Sequence, residues 1–179
     1  QKSIYLIKRH IENIFLQQMK MYPSFAYIKG GYNRDRFASD HYFHHNPING
    51  KEILPSYAFM SEGDIDFQFT LVEEANEFLD TLSETFDIKN IKKSTGKYYL
   101  YDVWTYIVKT KYHPIVPSSS TTIDIIIPIY GEIDDYIIDV NTLIRCDERT
   151  YSTAIPCESE FTRKIKTAEL VNKIGERRA

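Results

Sequence analysis

The chain has 179 residues, 42% hydrophobic and 26% charged, with a formal net charge of −3. That length supports one domain, residues 1–179, with a sizeable core, and the balance is that of an ordinary globular protein. No apolar run approaches membrane-spanning length, and a mildly acidic chain leaves any nucleic-acid binding to local basic patches.

Residues 3–20 carry Ile4, Ile7, Ile11, Ile14, Phe15 and Met19 at helical spacing, with Lys8, Arg9, Glu12 and Gln17 between them. This predicts an amphipathic helix, N-capped by Ser3 and ended by Pro23. Phe25 to Ile28 reads as a short strand running into Lys29-Gly30-Gly31, and residues 33–43 as a helix after the double glycine. Residues 44–58 are turn-rich, with Asn49-Gly50 a strong turn signal. An acidic strand is expected over 64–71 and a helix over 73–86, with Ala75, Phe78, Leu79, Leu82 and Phe86 on one face. Ile88–Lys93 and Tyr98–Lys111 read as two strands joined by a turn at Ser94-Thr95-Gly96. Residues 121–129 form an apolar strand, 135–143 a further strand or a strand and turn, and the tail from Ser159 a charged helix. The alternation of helices and strands predicts an α/β (α+β) fold, a single mixed sheet flanked by helices.

Chemistry concentrates at Gly63-Asp64-Ile65-Asp66-Phe67 and Ile123-Asp124-Ile125. In an extended strand side chains alternate, so Asp64 and Asp66 share one face while Ile65 and Phe67 point to a core. Neighbouring carboxylates repel, and a divalent cation between them relieves the repulsion. Asp124, flanked by isoleucines, is costly to bury without a partner. If its strand lies beside the first, three carboxylates converge on an oxygen-rich site suited to Mg²⁺ (or Mn²⁺). The bland alternative is an acidic surface turn with a separate strand-end acid. Upstream, Gly30-Gly31 lacks Cβ atoms, so its backbone N–H groups can approach a phosphate. Lys29, Asn33, Arg34 and Arg36 stand nearby as further phosphate contacts. A double glycine by itself is also what a plain turn contains.

Gly30-Gly31, Asp64-Ile65-Asp66-Phe67 and Ile123-Asp124-Ile125, in that order, resemble the signature of the DNA polymerase β-like nucleotidyltransferase superfamily. The resemblance covers residues 20–145, and Asp139-Val140-Asn141 is similar to a motif of the poly(A)-polymerase-like enzymes of large DNA viruses. It implies a nucleotidyltransferase-like palm that moves a nucleoside monophosphate from an NTP, ATP favoured, to a hydroxyl, with an RNA 3′ end the favoured acceptor. It further implies that Asp64 and Asp66 hold two metal ions. Asp124 would ligate one of them and help to deprotonate the attacking hydroxyl. Lys29, Gly30, Gly31, Asn33 and Arg34 fall at the nucleotide-binding loop. The long gap between Gly31 and Asp64 implies an inserted loop around 40–58, and Lys29 stands where the family has an apolar residue. No base-binding helical domain follows Asp124, so association with a further segment, subunit or second copy is expected. A catalytically silent domain serving as a structural or RNA-binding subunit is the alternative.

Other clusters read as ordinary surface. His41, His44 and His45 with Asp40 lack a zinc spacing. Lys89, Lys92, Lys93 and Lys97 with Tyr98 and Tyr99 make a basic, aromatic hairpin, either a nucleic-acid track or a strand edge guarded by lysines. Two cysteines, Cys146 and Cys157, form no disulfide framework, which points to a reducing, cytoplasmic setting. The start at Gln1 and the helical rather than signal-like N-terminus lead us to expect a fragment or a processed product.

Overall fold

Apolar periodicity along residues 4–19 builds the first helix, and the remaining elements follow from similar local signals. In chain order they are α1 (Lys2–Met21), β1 (Tyr27–Lys29), β2 (Ile65–Gln68), α2 (Val72–Thr85), β3 (Phe86–Thr95), β4 (Tyr101–Thr110), β5 (Ser120–Pro128), β6 (Leu143–Arg145) and β7 (Tyr151–Thr153). The computed structural model describes residues 2–21, 26–33, 35–36, 63–95, 101–111, 118–128, 143–145, 151–153, 164–165, 167–169 and 172. Helices with mixed β-pairing make this an α+β protein. Two compact units divide the chain: Ser3–Tyr27 with Asp64–Asp134, and Gln1–Lys2 with Ile28–Gly63 and Asp135–Ala179.

In the first unit the strands run in the order β3-β4-β5-β2. β3, β4 and β5 are antiparallel neighbours, whereas β2 lies parallel to β5. A parallel pair needs a long crossover, and here α2, β3 and β4 intervene between its two members. The core lies where α1 and α2 meet β2. Phe15, Phe67, Phe69 and Phe78 are all 0–1% exposed. Phe78 packs on Phe15, Phe67 and Phe69 at centroid distances of 5.5, 4.8 and 5.8 Å. Such ring pairs add about 0.5–1.5 kcal/mol each beyond their area burial. Gln18 Nε2 donates to the Glu74 carbonyl at 3.0 Å, tying α1 to the first turn of α2. Glu73 and Glu74 occupy that turn, where the helix dipole favours acids.

The helix expected over 73–86 is present with Ala75, Phe78, Leu79 and Leu82 buried, and Phe86, also buried, begins β3. Two details of α1 differ from expectation. Ser3 lies inside the helix rather than capping it, since helical backbone already begins at Lys2. Lys8 and Glu12 are 1% and 0% exposed. They belong to a second i,i+4 row (8, 12, 16) beside the apolar row 7, 11, 15, and packing covers both rows. Charges inside need partners; Arg9 Nε lies 3.8 Å from Glu12 Oε2. The lysine-rich strand extends further than expected at both ends, with Ser94 and Thr95 inside β3, while its partner β4 lies within the expected 98–111.

In the second unit β1 pairs antiparallel with β6, and β6 with β7. β7 carries no apolar alternation long enough to be predicted, and β6 overlaps the expected 135–143 strand only at Leu143. Residues 31–33 and 35–36 are helical, as are 164–165, 167–169 and 172, in line with the helices expected after the double glycine and in the tail. The histidine group, the inserted loop, Lys97 to Tyr99, Asp139 to Asn141 and both cysteines lie outside the described residues.

Candidate functional site

Ile65 and Phe67 of β2 and Ile123 and Ile125 of β5 are fully buried, which fixes the face each strand turns to the core. The alternate positions, Asp66 and Asp124, therefore share the opposite face. They are direct Cα partners in the parallel register Ile65↔Ile123, Asp66↔Asp124, Phe67↔Ile125, Gln68↔Ile126. Adjacent strands are about 4.8 Å apart, so two half-buried carboxylates stand side by side. Phe69 N donates to the Ile126 carbonyl at 2.9 Å, carrying the pairing one residue past β2. Asp64 precedes the strand instead of lying in it. It is exposed and follows Gly63, whose φ of +82° is a conformation L side chains rarely adopt.

Asp64 is nevertheless linked electrically to Asp124. Though the residue is exposed, its pKa is raised above 3.8, first by partial desolvation of its carboxyl and second by the charge on Asp124, while Lys8 pulls it back down. A raised folded-state pKa means the folded protein holds this proton more tightly than the unfolded chain. The corresponding stability is complete below 3.8 and is lost as pH rises through the folded value. Carboxyl NMR titration of Asp64 is expected to give a midpoint above 3.8, lowered by Asp124→Asn. An unchanged midpoint in the variant would refute the coupling.

Asp124 Oδ1 accepts a 2.6 Å hydrogen bond from Thr105 Oγ1 on β4, where the two residues are Cα partners. Thr105→Val deletes that donor at nearly constant volume. A urea titration is expected to show a loss of about 1 kcal/mol, restored by Thr105→Ser; a loss no larger than that of an exposed Thr→Val control would show the bond contributes nothing.

The glycine loop belongs to the other unit. Gly30 has φ +81°, and Asn33 N donates to the Gly30 carbonyl at 3.2 Å, closing a tight turn. Asn33 is fully buried, and its Nδ2 donates to the Ile28 carbonyl at 2.7 Å. Its amide therefore holds the loop's shape. Lys29 is half-buried in β1, where it pairs in register with Ile144. Gly30 is buried and Gly31 half-buried; Arg34 lies outside the described residues.

Thr105 and Lys8 are the site residues that sequence reasoning missed. Thr105 sits in the alternating strand expected over 98–111, but only register places it opposite Asp124. Lys8 follows Ile7 on a helix and looked solvated. In donor chemistry the carboxylates fit a hard divalent cation: all are oxygen ligands, and their mutual repulsion is what a cation would relieve. Among the described residues, however, no three His, Cys, Asp or Glu side chains are gathered into a metal-binding group. The structure brings Asp66 and Asp124 together and leaves Asp64 coupled but apart. No helix among the described residues is long and apolar enough to cross a membrane. No protein-family model, curated protein or solved structure matches the chain.

Proposed function

We propose that this protein is a metal-dependent nucleotidyltransferase acting in a reducing, intracellular setting. It moves a nucleoside monophosphate from an NTP, ATP favoured, to a hydroxyl, with an RNA 3′ end as acceptor. The observation carrying this reading is the in-register pair Asp66–Asp124 on parallel strands, with Asp64 feeling the charge of Asp124. This pair and Asp64, in the order and apolar context of the nucleotidyltransferase motifs, weigh against an incidental surface turn. Asp66 and Asp124, with Asp64, would hold Mg²⁺ or Mn²⁺. When bound, the metal pair stabilises charge on the entering and leaving oxygens of an in-line displacement.

The reaction joins the acceptor oxygen to the α-phosphorus and breaks the bond to the β-phosphate, releasing pyrophosphate. In this reading Asp124 receives the acceptor proton. Its Oδ1 accepts from Thr105, so Oδ2 is the oxygen assigned to that task. Thr105 acts as a positioning residue by holding the carboxylate in one orientation. The resemblance assigns Lys29 and the Gly30-Gly31 backbone, with Arg34, to the triphosphate; the Asn33 amide supports the loop from within.

A second reading draws on the ungathered ligand set: a silent nucleotidyltransferase-like subunit that binds RNA without chemistry. Labelled NTPs, Mg²⁺ or Mn²⁺ and an RNA primer, incubated with the wild type and with Asp66→Asn and Asp124→Asn, separate the two. Incorporation by the wild type that is lost in the variants supports the enzyme. Absence of incorporation with every NTP and acceptor, or equal incorporation by the variants, rejects it.

A further inference from the structure

Register across β3, β4, β5 and β2 sorts the side chains into rows. Cα partners on neighbouring strands share a face, so Lys92, Thr105, Asp124 and Asp66 form one row across four strands. The next row along the sheet is Lys89, Ile107 and Thr122, and the one beyond it Asp87, Lys109 and Ser120. The 2.6 Å bond from Thr105 to Asp124 agrees with this assignment. Lys93 lies on the other face, its Nζ 5.2 Å from the centroid of Trp104.

A β-bulge between Asn90 and Lys92 makes this division. In an unbroken ladder Lys92 would oppose Trp104, on the face Lys93 now occupies, and Lys93 would oppose Val103 on the carboxylate face. One extra residue flips every side chain beyond it. The bulge is pinned by Asn90, whose Nδ2 donates to the carbonyls of Lys92 and Thr105 at 3.2 and 3.1 Å. Lysines that merely guard an edge strand work from either face. Here Lys89, Lys92 and Lys109 are exposed and share the carboxylate face, around the half-buried Val103, Thr105 and Ile107.

We propose that the carboxylate face of the β3–β4 hairpin is the docking surface for a single-stranded RNA acceptor, its phosphates over Lys89, Lys92 and Lys109. Charge complementarity sets the occupant and its direction. Phosphates are drawn to the three lysines, which outnumber Asp87, the one acid on that face of the hairpin among the described residues. The same phosphates are repelled by Asp66 and Asp124, so the chain body lies on β3–β4 and only the hydroxyl terminus reaches β5–β2. Two inter-strand steps, about 10 Å, separate the lysine strand from Asp124. The apolar and aromatic surface of Tyr101, Val103 and Ile107 offers unpaired bases a platform, which a duplex would not use. This assignment rests on the nucleotidyltransferase reading for its polarity, but its binding is testable without catalysis.

The probe is a fluorescein-labelled oligo(A) RNA, titrated by fluorescence anisotropy against the full chain in EDTA. Lys89→Ala/Lys92→Ala/Lys109→Ala is expected to weaken binding at least tenfold. It should also flatten the log K against log salt slope by about 2, at ~0.7 per phosphate contact on a single strand. Lys93→Ala should stay within twofold of wild type. If the triple variant fails to fold, Lys89→Ala and Lys92→Ala are each expected to lower the slope by about 0.7. The proposal is overturned by absence of wild-type binding, by lysine variants within twofold of wild type, by Lys93→Ala matching the triple variant, or by duplex RNA binding as tightly as the single strand. Face-selective binding without incorporation would reject the enzyme and keep the surface. Incorporation with face-independent binding would do the reverse.

Discussion

Asp124→Asn is expected to abolish nucleotide incorporation while leaving the metal-free protein at least as stable as the wild type. Asparagine has nearly the same volume, and its Oδ1 can still accept from Thr105, so the β4–β5 contact at that row is kept. What disappears is one negative charge beside Asp66 and near Asp64. Metal-assisted charge stabilisation is worth several kcal/mol. At 1.36 kcal/mol per tenfold, a loss of about 4 kcal/mol is roughly a thousandfold in rate. In the other direction, two unit charges about 4 Å apart repel by roughly 1 kcal/mol even in bulk water and by more where they are half-buried, and the variant relieves that repulsion. Incorporation rate and urea midpoint, read on the same preparation, check both halves. A variant that is less stable and equally active would show that the charge serves the fold and not chemistry.

Phe78→Ala is expected to cost about 3–5 kcal/mol in urea denaturation, a large share of the stability of a domain of this kind. The ring is fully buried and touches Phe15, Phe67 and Phe69, so its removal leaves a cavity bordered by both helices and β2. Phe78→Leu keeps much of the volume and should cost well under half as much. The effect reaches the candidate site through β2, because Phe67 follows Asp66 and Phe69 N bonds the Ile126 carbonyl of β5. Incorporation should therefore fall with the fraction folded, not with metal or NTP concentration. A loss below about 1 kcal/mol would show that the four rings are not the centre of the core.

Much of the frame was legible from local pattern. The helix over 73–86 shows its buried positions in its own 3.6-residue period, and Ile65, Phe67, Ile123 and Ile125 show theirs by alternation. The face shared by Asp66 and Asp124 follows once β2 and β5 pair. Alternation places Asp64 in the strand because it gives no sign of where a strand begins. The bend at Gly63 delays the start of the strand by one residue, to Ile65. Ser3 and the two ends of the lysine-rich strand were misplaced for the same reason, since element boundaries depend on contacts outside the window.

What the sequence determined by itself is therefore the main helices and strands of the first unit and the core-facing side of α2, β2 and β5, with the three acids singled out as the candidate site. The tertiary structure alone decided which residues meet. Parallel register put Asp66 beside Asp124 but did not gather Asp64 into one ligand set with them. β4 supplied Thr105 to Asp124, and packing around α1 buried Lys8 and Glu12. A single bulge sent Lys92 to the carboxylate face and Lys93 to Trp104. The physical reason is common to all of these. Periodicity is a property of one segment, whereas register is settled by the pairing of segments distant in the chain, and a shift of one residue reverses every side chain it moves.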